Sequence, residues 1–353
     1  ASDVYKRQIQ MVHEFWNTQP MPQNHSEGVG EIDSSRTYSE TPVTLPKHYE
    51  WSTCSIHEIS EFLSSHYIRD EHFSFKYSKD FVEWATESDW NLGLRTKSGG
   101  KLVGFISGVP TKYRVHDTVL DVLQINFLCV HDSIRNIGLA PLLISEIRRR
   151  ANAVGIWQAV YTAVVELPTP VAKTSYWHRL INVRKLNSAK FSDERERPHA
   201  VKGSCTHWLM TNSDVPRVTE ILRKHMSQYS IAPVIDESYV RRWLLPKCEI
   251  VYSYLNEEGH FTSYYSVPYR SVKTQMYINQ AYMFYDTGRG DLKSAVLLAR
   301  NTGLDVYNTL DIGLNPSTLR DSKFLKGNGH NHCYVYNWSC GDIPPDKISM
   351  RFF

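Results

Sequence analysis

The stretch Ile125–Pro141, INFLCVHDSIRNIGLAP, constrains the fold more than any other. An apolar run of strand length passes through a polar turn into a helix that opens at Leu139-Ala140-Pro141. Leu139, Leu143, Ile147 and Ala151 recur at four-residue spacing, which predicts an amphipathic helix over 139–154. Arg148–Arg150 suit its C-terminal end and read as a solvated helix end rather than an anion site, and Gly155 suits its stop. A strand–turn–helix connection of this kind offers main-chain N–H groups at two useful places. Those at the strand's end can hold an oxyanion, and those at the helix's start can hold phosphates.

The remaining pattern is mixed α and β. Residues 23–46 are polar and predict a loop that is mobile unless covered. His57–His66 predicts a helix with Ile59, Phe62 and Leu63 on one face, and Leu94–Arg114 a hairpin turning at Ser98-Gly99-Gly100. After a polar stretch, Ser192–Gly203, the order partly repeats. A helix around Val215–His225 precedes a second hairpin, Glu249–Arg270, turning at Glu257–Gly259. GKLVGFISGVPTKYR and GHFTSYYSVPYR both run from a glycine turn through a strand to a Val-Pro exit, a faint internal repeat.

A chain of 353 residues with 41% hydrophobic content can bury a large core. The net charge of +3 comes from scattered basic residues and leaves no nucleic-acid footprint, and no apolar run reaches membrane-spanning length. Six cysteines without a CxxC pair fit a reducing cytosol. Residues 1–8, ASDVYKRQ, read as translated adaptor sequence and are excluded from fold reasoning.

Arg135-x-x-Gly138-x-Ala140 resembles the CoA loop of GNAT acyltransferases. INFLCVH followed eight residues later by LAP resembles the N-myristoyltransferase family more specifically. FWNTQPMP (Phe15–Pro22), KLVGFISGVP (Lys101–Pro110), QAVYTA (Gln158–Ala163), YWHR (Tyr176–Arg179), LDVYNTLD (Leu304–Asp311) and YVYNW (Tyr334–Trp338) follow in the family's order. The resemblance spans Phe15–Phe353. It implies an α+β fold of two fused GNAT-like halves sharing a saddle-shaped mixed sheet flanked by helices. Residues 9–191 would bind acyl-CoA. Residues 192–353 would bind much of the peptide and return the C-terminus to the active site.

The implied chemistry is transfer of a fourteen-carbon acyl group from myristoyl-CoA to an N-terminal glycine amine. Such an amine has a pKa of roughly 7.7–8.0, so a base must take its proton. The family uses its own C-terminal carboxylate. Lys347 stands six residues before the end, as in the family, so Phe353 is the expected base. A free α-carboxyl is weakly basic, and burial would strengthen it. The resemblance implies that Phe127 and Leu128 supply oxyanion-hole amides. Successive N–H groups of a regular strand point opposite ways, which predicts a β-bulge at Asn126–Leu128. Asn126 and Thr162 match positions around the amine, with structural hydrogen-bonding roles left open.

CoA binding is implied for Phe15, Trp16, Leu128, Cys129, Val130, Arg135, Asn136, Ile137, Gly138, Leu139, Ala140 and Pro141. Where the family has Arg-Ser-Lys-Arg, this chain has Arg135-Asn136-Ile137-Gly138, so CoA affinity should depend less on salt than in a typical relative. Peptide binding is implied for Tyr67, Asp70, Glu71, Phe73, Phe75, Tyr77, Tyr176, His178, Asn308, Asn328 and Gly329. Met283 and Asn328 replace a serine and an aspartate common in the family, which puts typical peptide specificity in question. His330, His332, Cys333 and Cys340 lack a second ligand pair at zinc-like spacing, so no metal site is expected. Cys129 reads as a core residue rather than a thiol nucleophile. The expected protein is a cytoplasmic monomer acting on nascent proteins, with no prosthetic group and a ribosome contact left open. The alternatives are an acyl-CoA transferase of another chain length or acceptor, or a weakly catalytic protein that binds acyl-CoA or lipopeptide.

Overall fold

A computed structural model describes residues 14–22, 24, 28–68, 72–192, 200–288 and 292–353. Among them, one sheet organises the molecule. Its first-half strands are β1 (Tyr49–Ser52), β2 (Asn91–Thr96), β3 (Leu102–Val115), β4 (Thr118–Val130), β5 (Gln158–Ala163) and β6 (Ala172–Leu180). Helix α1 (Ile56–His66) follows β1, and α2 (Leu139–Ala153) joins β4 to β5. The second half contributes β7 (Val251–Leu255), β8 (Phe261–Ser266), β9 (Gln280–Asp286), α3 (Lys293–Asn301), β10 (Val306–Leu310) and β11 (Leu325–Tyr336). The strand order is β1-β2-β3-β4-β5-β11-β6-β10-β9-β8-β7, with Trp208–Leu209 beyond β7 and Ile231–Pro233 added to β3. No helix of the described residues is long and apolar enough to cross a membrane.

Local chemistry explains the elements. Ser55 caps α1 in a reciprocal box with Glu58, satisfying two free amides at its start. Helix α2 begins after Gly138 at φ +82° and stops before Gly155 at φ +83°, both backbone positions that favour glycine. Its apolar stripe of Leu139, Leu143, Ile147 and Ala151 packs on Leu92, Leu94, Ile106 and Leu123 of the sheet. Both expected hairpins form, as β2–β3 and β7–β8.

The repeat is visible as two matching units. β4–α2–β5 and β9–α3–β10 are each a strand–helix–strand crossover whose parallel strands pair over three residues, Val122–Gln124 with Gln158–Val160 and Gln280–Tyr282 with Val306–Asn308. Each parallel pair then splays apart. The next strand of each half is exchanged: β6 follows β5 in sequence but pairs with β10, while β11 follows β10 but inserts between β5 and β6.

Two sequence expectations change. Val109-Pro110 is not a strand exit, because β3 continues to Val115. Pro110 has no N–H to give, and it falls between Ser107, where pairing with β2 ends, and Tyr113, where pairing with Ile231–Pro233 begins. Arg148–Arg150 are not a solvated end either. Arg149 and Arg150 grip the fully buried Glu146 at 2.9 and 3.0 Å, and Arg148 reaches Gln19 and Tyr336. Glu146 also accepts from Val43 N–H at 2.9 Å, which draws part of the 23–46 loop onto α2. Burial pushes the Glu146 pKa up. The bonds from Arg149, Val43 and Arg150 outweigh it and leave the carboxyl below its ordinary value.

Candidate active site

The splay between β4 and β5 opens a cavity of about 750 Å³. At its centre β4 carries an irregularity. Ser107 faces Asn126 and Phe105 faces Cys129, so Phe127 and Leu128 together oppose the single Ile106. This is the expected bulge, and Phe127 adopts φ +57° to make it. A bulge leaves its extra residue outside the ladder and bends the strand, which turns neighbouring amides toward one side. Asn126 is buried beside it, and both its amide nitrogen and its oxygen lack hydrogen-bond partners. A buried amide with neither end satisfied costs free energy unless something in the cavity completes it.

The C-terminus lines the same cavity. Its tail is pinned along its length: Ser230 N–H donates to Lys347 O, Ser349 N–H to Ile231 O, and the Tyr265 hydroxyl to Phe352 O at 3.0 Å. The Phe353 ring sits among Phe81, Trp84, Trp243, Tyr265 and Phe284, at centroid distances from 4.6 to 6.3 Å. That packing holds Phe353 against the core. The Arg351 guanidinium donates to Ile312 O at 2.7 Å, and burial holds its pKa below the ordinary value.

Two walls extend from this centre. On one side Trp16 stacks on Tyr161 at 5.5 Å, and Tyr161 on Tyr334 at 4.8 Å. Arg148 Nη1 donates to Gln19 (2.9 Å) and to the Tyr336 hydroxyl (3.0 Å). On the other side lie Tyr67, Phe75, Tyr77, Tyr176, His178 and Asn308. A polar chain runs along this wall, with His178 Nδ1 2.7 Å from Asn308 Oδ1 and Asn308 Nδ2 donating to Gln280 Oε1 at 2.8 Å. Gly327 lets β11 pass over it, since a Cβ there would stand 2.7 Å from His178 Nε2.

Of the residues expected from sequence, the cavity gathers Trp16, Asn126, Phe127, Leu128, Thr162, Tyr67, Phe75, Tyr77, Tyr176, His178, Asn308 and Phe353. Phe15, Cys129, Val130 and the loop from Arg135 through Asn136, Ile137, Gly138, Leu139 and Ala140 to Pro141 do not line it. That loop lies beyond the bulge, with Ile137 exposed at the surface. Phe73 stacks on Tyr269 at 4.8 Å in a small side sheet, and Asn328 and Gly329 lie on β11 outside the cavity. Asp70 and Glu71 fall outside the described residues. Burial pushes the Cys129 thiol up to about 12, so it stays a core thiol rather than a nucleophile. Sequence reading missed Tyr265, Gln280, Tyr282 and Arg148, all of which line the cavity. Tyr282 and Gln280 alternate on β9, a period-2 signal open to detection; Arg148 and Tyr265 carried none.

Comparison with known proteins identifies the family. Residues 30–174 match the N-terminal domain of myristoyl-CoA:protein N-myristoyltransferase, and residues 198–350 match its C-terminal domain. Glycylpeptide N-tetradecanoyltransferase 1 of Arabidopsis thaliana is 37% identical over 92% of this chain and 86% of its own length. The Plasmodium falciparum glycylpeptide N-tetradecanoyltransferase is 34% identical over 98% of this chain and 94% of its own. The crystal structure of Saccharomyces cerevisiae N-myristoyltransferase with bound myristoyl-CoA superimposes with a TM-score of 0.86 at 27% identity, covering 94% of each chain. With both domain models matched and such relatives spanning nearly its whole length, this chain belongs to the myristoyl-CoA:protein N-myristoyltransferase family.

Proposed function

We propose that this acyltransferase moves a myristoyl group from myristoyl-CoA to an N-terminal glycine amine, with its own C-terminal carboxylate as general base. The observation that carries the reading is that Phe353 and the Phe127-Leu128 bulge line one cavity. The thioester carbonyl is placed against the bulge, its oxygen facing the Phe127 and Leu128 amides. The glycine amine arrives from the wall of Tyr176, His178 and Asn308 and gives a proton to the Phe353 carboxylate. Its nitrogen attacks the carbonyl carbon, a C–N bond forms, and the carbonyl electron pair moves onto oxygen. Collapse of that oxyanion breaks the C–S bond. The CoA thiolate leaves and takes the second proton of the attacking nitrogen, giving the amide and the free CoA thiol. The Phe353 carboxyl then returns its proton to solvent. Each amide aimed at the developing oxyanion contributes about 3 kcal/mol. The unpartnered Asn126 side chain fits the task of orienting the amine. The Trp16–Tyr161–Tyr334 stack and the start of α2 flank the course assigned to CoA.

The active form in this reading is a monomer. Its place is the cytoplasm, where N-terminal glycines emerge after methionine removal. The test pairs the native protein with a variant extended by a few glycines after Phe353, each given myristoyl-CoA and a Gly-initiated peptide. The native chain should turn over, while the extended chain binds acyl-CoA and does not. Equal activity in both would place the base elsewhere. Acyl-CoA binding without turnover in either would favour a lipid-binding protein.

A further inference from the structure

Away from the cavity, the end of α1 meets the end of β4. His66 from the last turn of α1, and His131 and Asp132 just after β4, bring their ligand atoms together within 4.8 Å of one another. His66 Nδ1 lies 3.2 Å from Asp132 Oδ1, and His131 Nδ1 lies 3.2 Å from the same oxygen. The two imidazoles are mostly buried with centroids 4.0 Å apart, whereas the carboxylate is half exposed.

We propose that His66, His131 and Asp132 form a site for a divalent transition-metal ion of the zinc class, with its remaining position open to solvent. Zinc–nitrogen and zinc–oxygen bonds of about 2.0–2.1 Å at tetrahedral angles set ligand atoms roughly 3.3 Å apart. Both nitrogen–oxygen edges here match that spacing. His66 Nδ1 adds a second observation. It is buried, stands at hydrogen-bond distance from a carboxylate oxygen, and yet makes no hydrogen bond. Its direction therefore does not suit a bond along that edge, as expected of ligands aimed at a shared point.

The competing contacts leave the site available. Ser133 N–H donates to His131 Nδ1 at a long 3.3 Å, which needs the lone pair on Nδ1, while Lys101 Nζ, which can only donate, needs it on Nε2. Binding an ion through Nδ1 requires the ring to give up the Lys101 contact. The same N–H has Asp132 Oδ1 as a second acceptor at 2.9 Å, so it keeps a partner when an ion takes Nδ1. The Ser133 hydroxyl, 2.9 Å from Nδ1, can rotate away. Lys101 Nζ, 3.0 Å from His131 Nε2, belongs to an exposed side chain on the ring's far nitrogen. Arg135 bonds to both Val130 O and His66 O, so an ion here would brace a junction that is already tied. It would also place positive charge beside the loop containing Ile137-Gly138.

The test reads metal binding on the free protein and does not depend on acyl transfer. Chelator-dialysed native protein is titrated with cobalt chloride while its visible ligand-field bands are followed, and zinc chloride is then used to displace the cobalt. His66→Asn and Asp132→Asn are treated alongside. One ion per chain is expected, with binding weaker by roughly tenfold or more in each variant. Asp132 is half exposed, so its exchange leaves the fold in place, which circular dichroism checks. Absence of ligand-field bands from the native chain would overturn the site, as would variants that bind cobalt as tightly as native.

Discussion

Phe127 holds a left-handed backbone conformation that costs a non-glycine residue on the order of 1–3 kcal/mol. Its buried ring meets Tyr67, Tyr77 and Phe81 edge-on, and that packing holds the conformation in place. The side chain thus anchors the bulge. His225 shows another cost of burial. Burial, opposed by Asp286 and reinforced by Arg351, pushes its pKa down to about 4. Between its ordinary value and that one, the unfolded chain takes up a proton that the folded chain refuses. Stability should therefore fall as pH drops through this window, by at most about 3 kcal/mol, and stay level above it. Urea unfolding at about pH 7.5 and about pH 5 checks the slope, which His225→Gln should lose. Single residues were legible where the pattern forces a backbone irregularity, as at Phe127, where the expected bulge forms. Arg148 was not, because its partners Gln19 and Tyr336 lie far off in sequence and its own neighbours suggest an ordinary basic helix end. Nor was the meeting of His66 with His131, which depends on how α1 docks.

Among the elements, α2 was the most legible. Its apolar spacing and flanking glycines fix its face and both ends. Its second task, holding the segment with Trp16 through Arg148, appears only in three dimensions. Replacing Arg148 by methionine keeps helix propensity and removes the tie. Acyl-CoA affinity should weaken on the order of tenfold, as expected for lost hydrogen bonds to a charged group that is not fully buried. Titration calorimetry with myristoyl-CoA measures this, and an unchanged affinity would mean that Trp16 is held without it. β3 was legible in part. Its start and glycine turn were plain, but Pro110 looked like an end when it marks a change of pairing partner on one edge.

At the scale of the whole molecule, the duplicated units were faintly legible through the two hairpins. The exchange of β6 and β11 was hidden, because pairing order leaves no mark on composition. The exchange also makes each half incomplete. Residues 9–191 and 192–353 produced separately should fail to give folded soluble protein, whereas co-expressed they should associate and recover the native circular dichroism spectrum. Folding of either half alone would show that the exchanged strand is dispensable. The same arrangement sets a timetable for synthesis. While the ribosome is still making the second half, β5 waits with an unpaired edge, and β6 has neither of its neighbours until β10 and β11 emerge. The nascent chain therefore carries open sheet edges through nearly half of its own translation, a period in which chaperone cover and translation speed decide its yield.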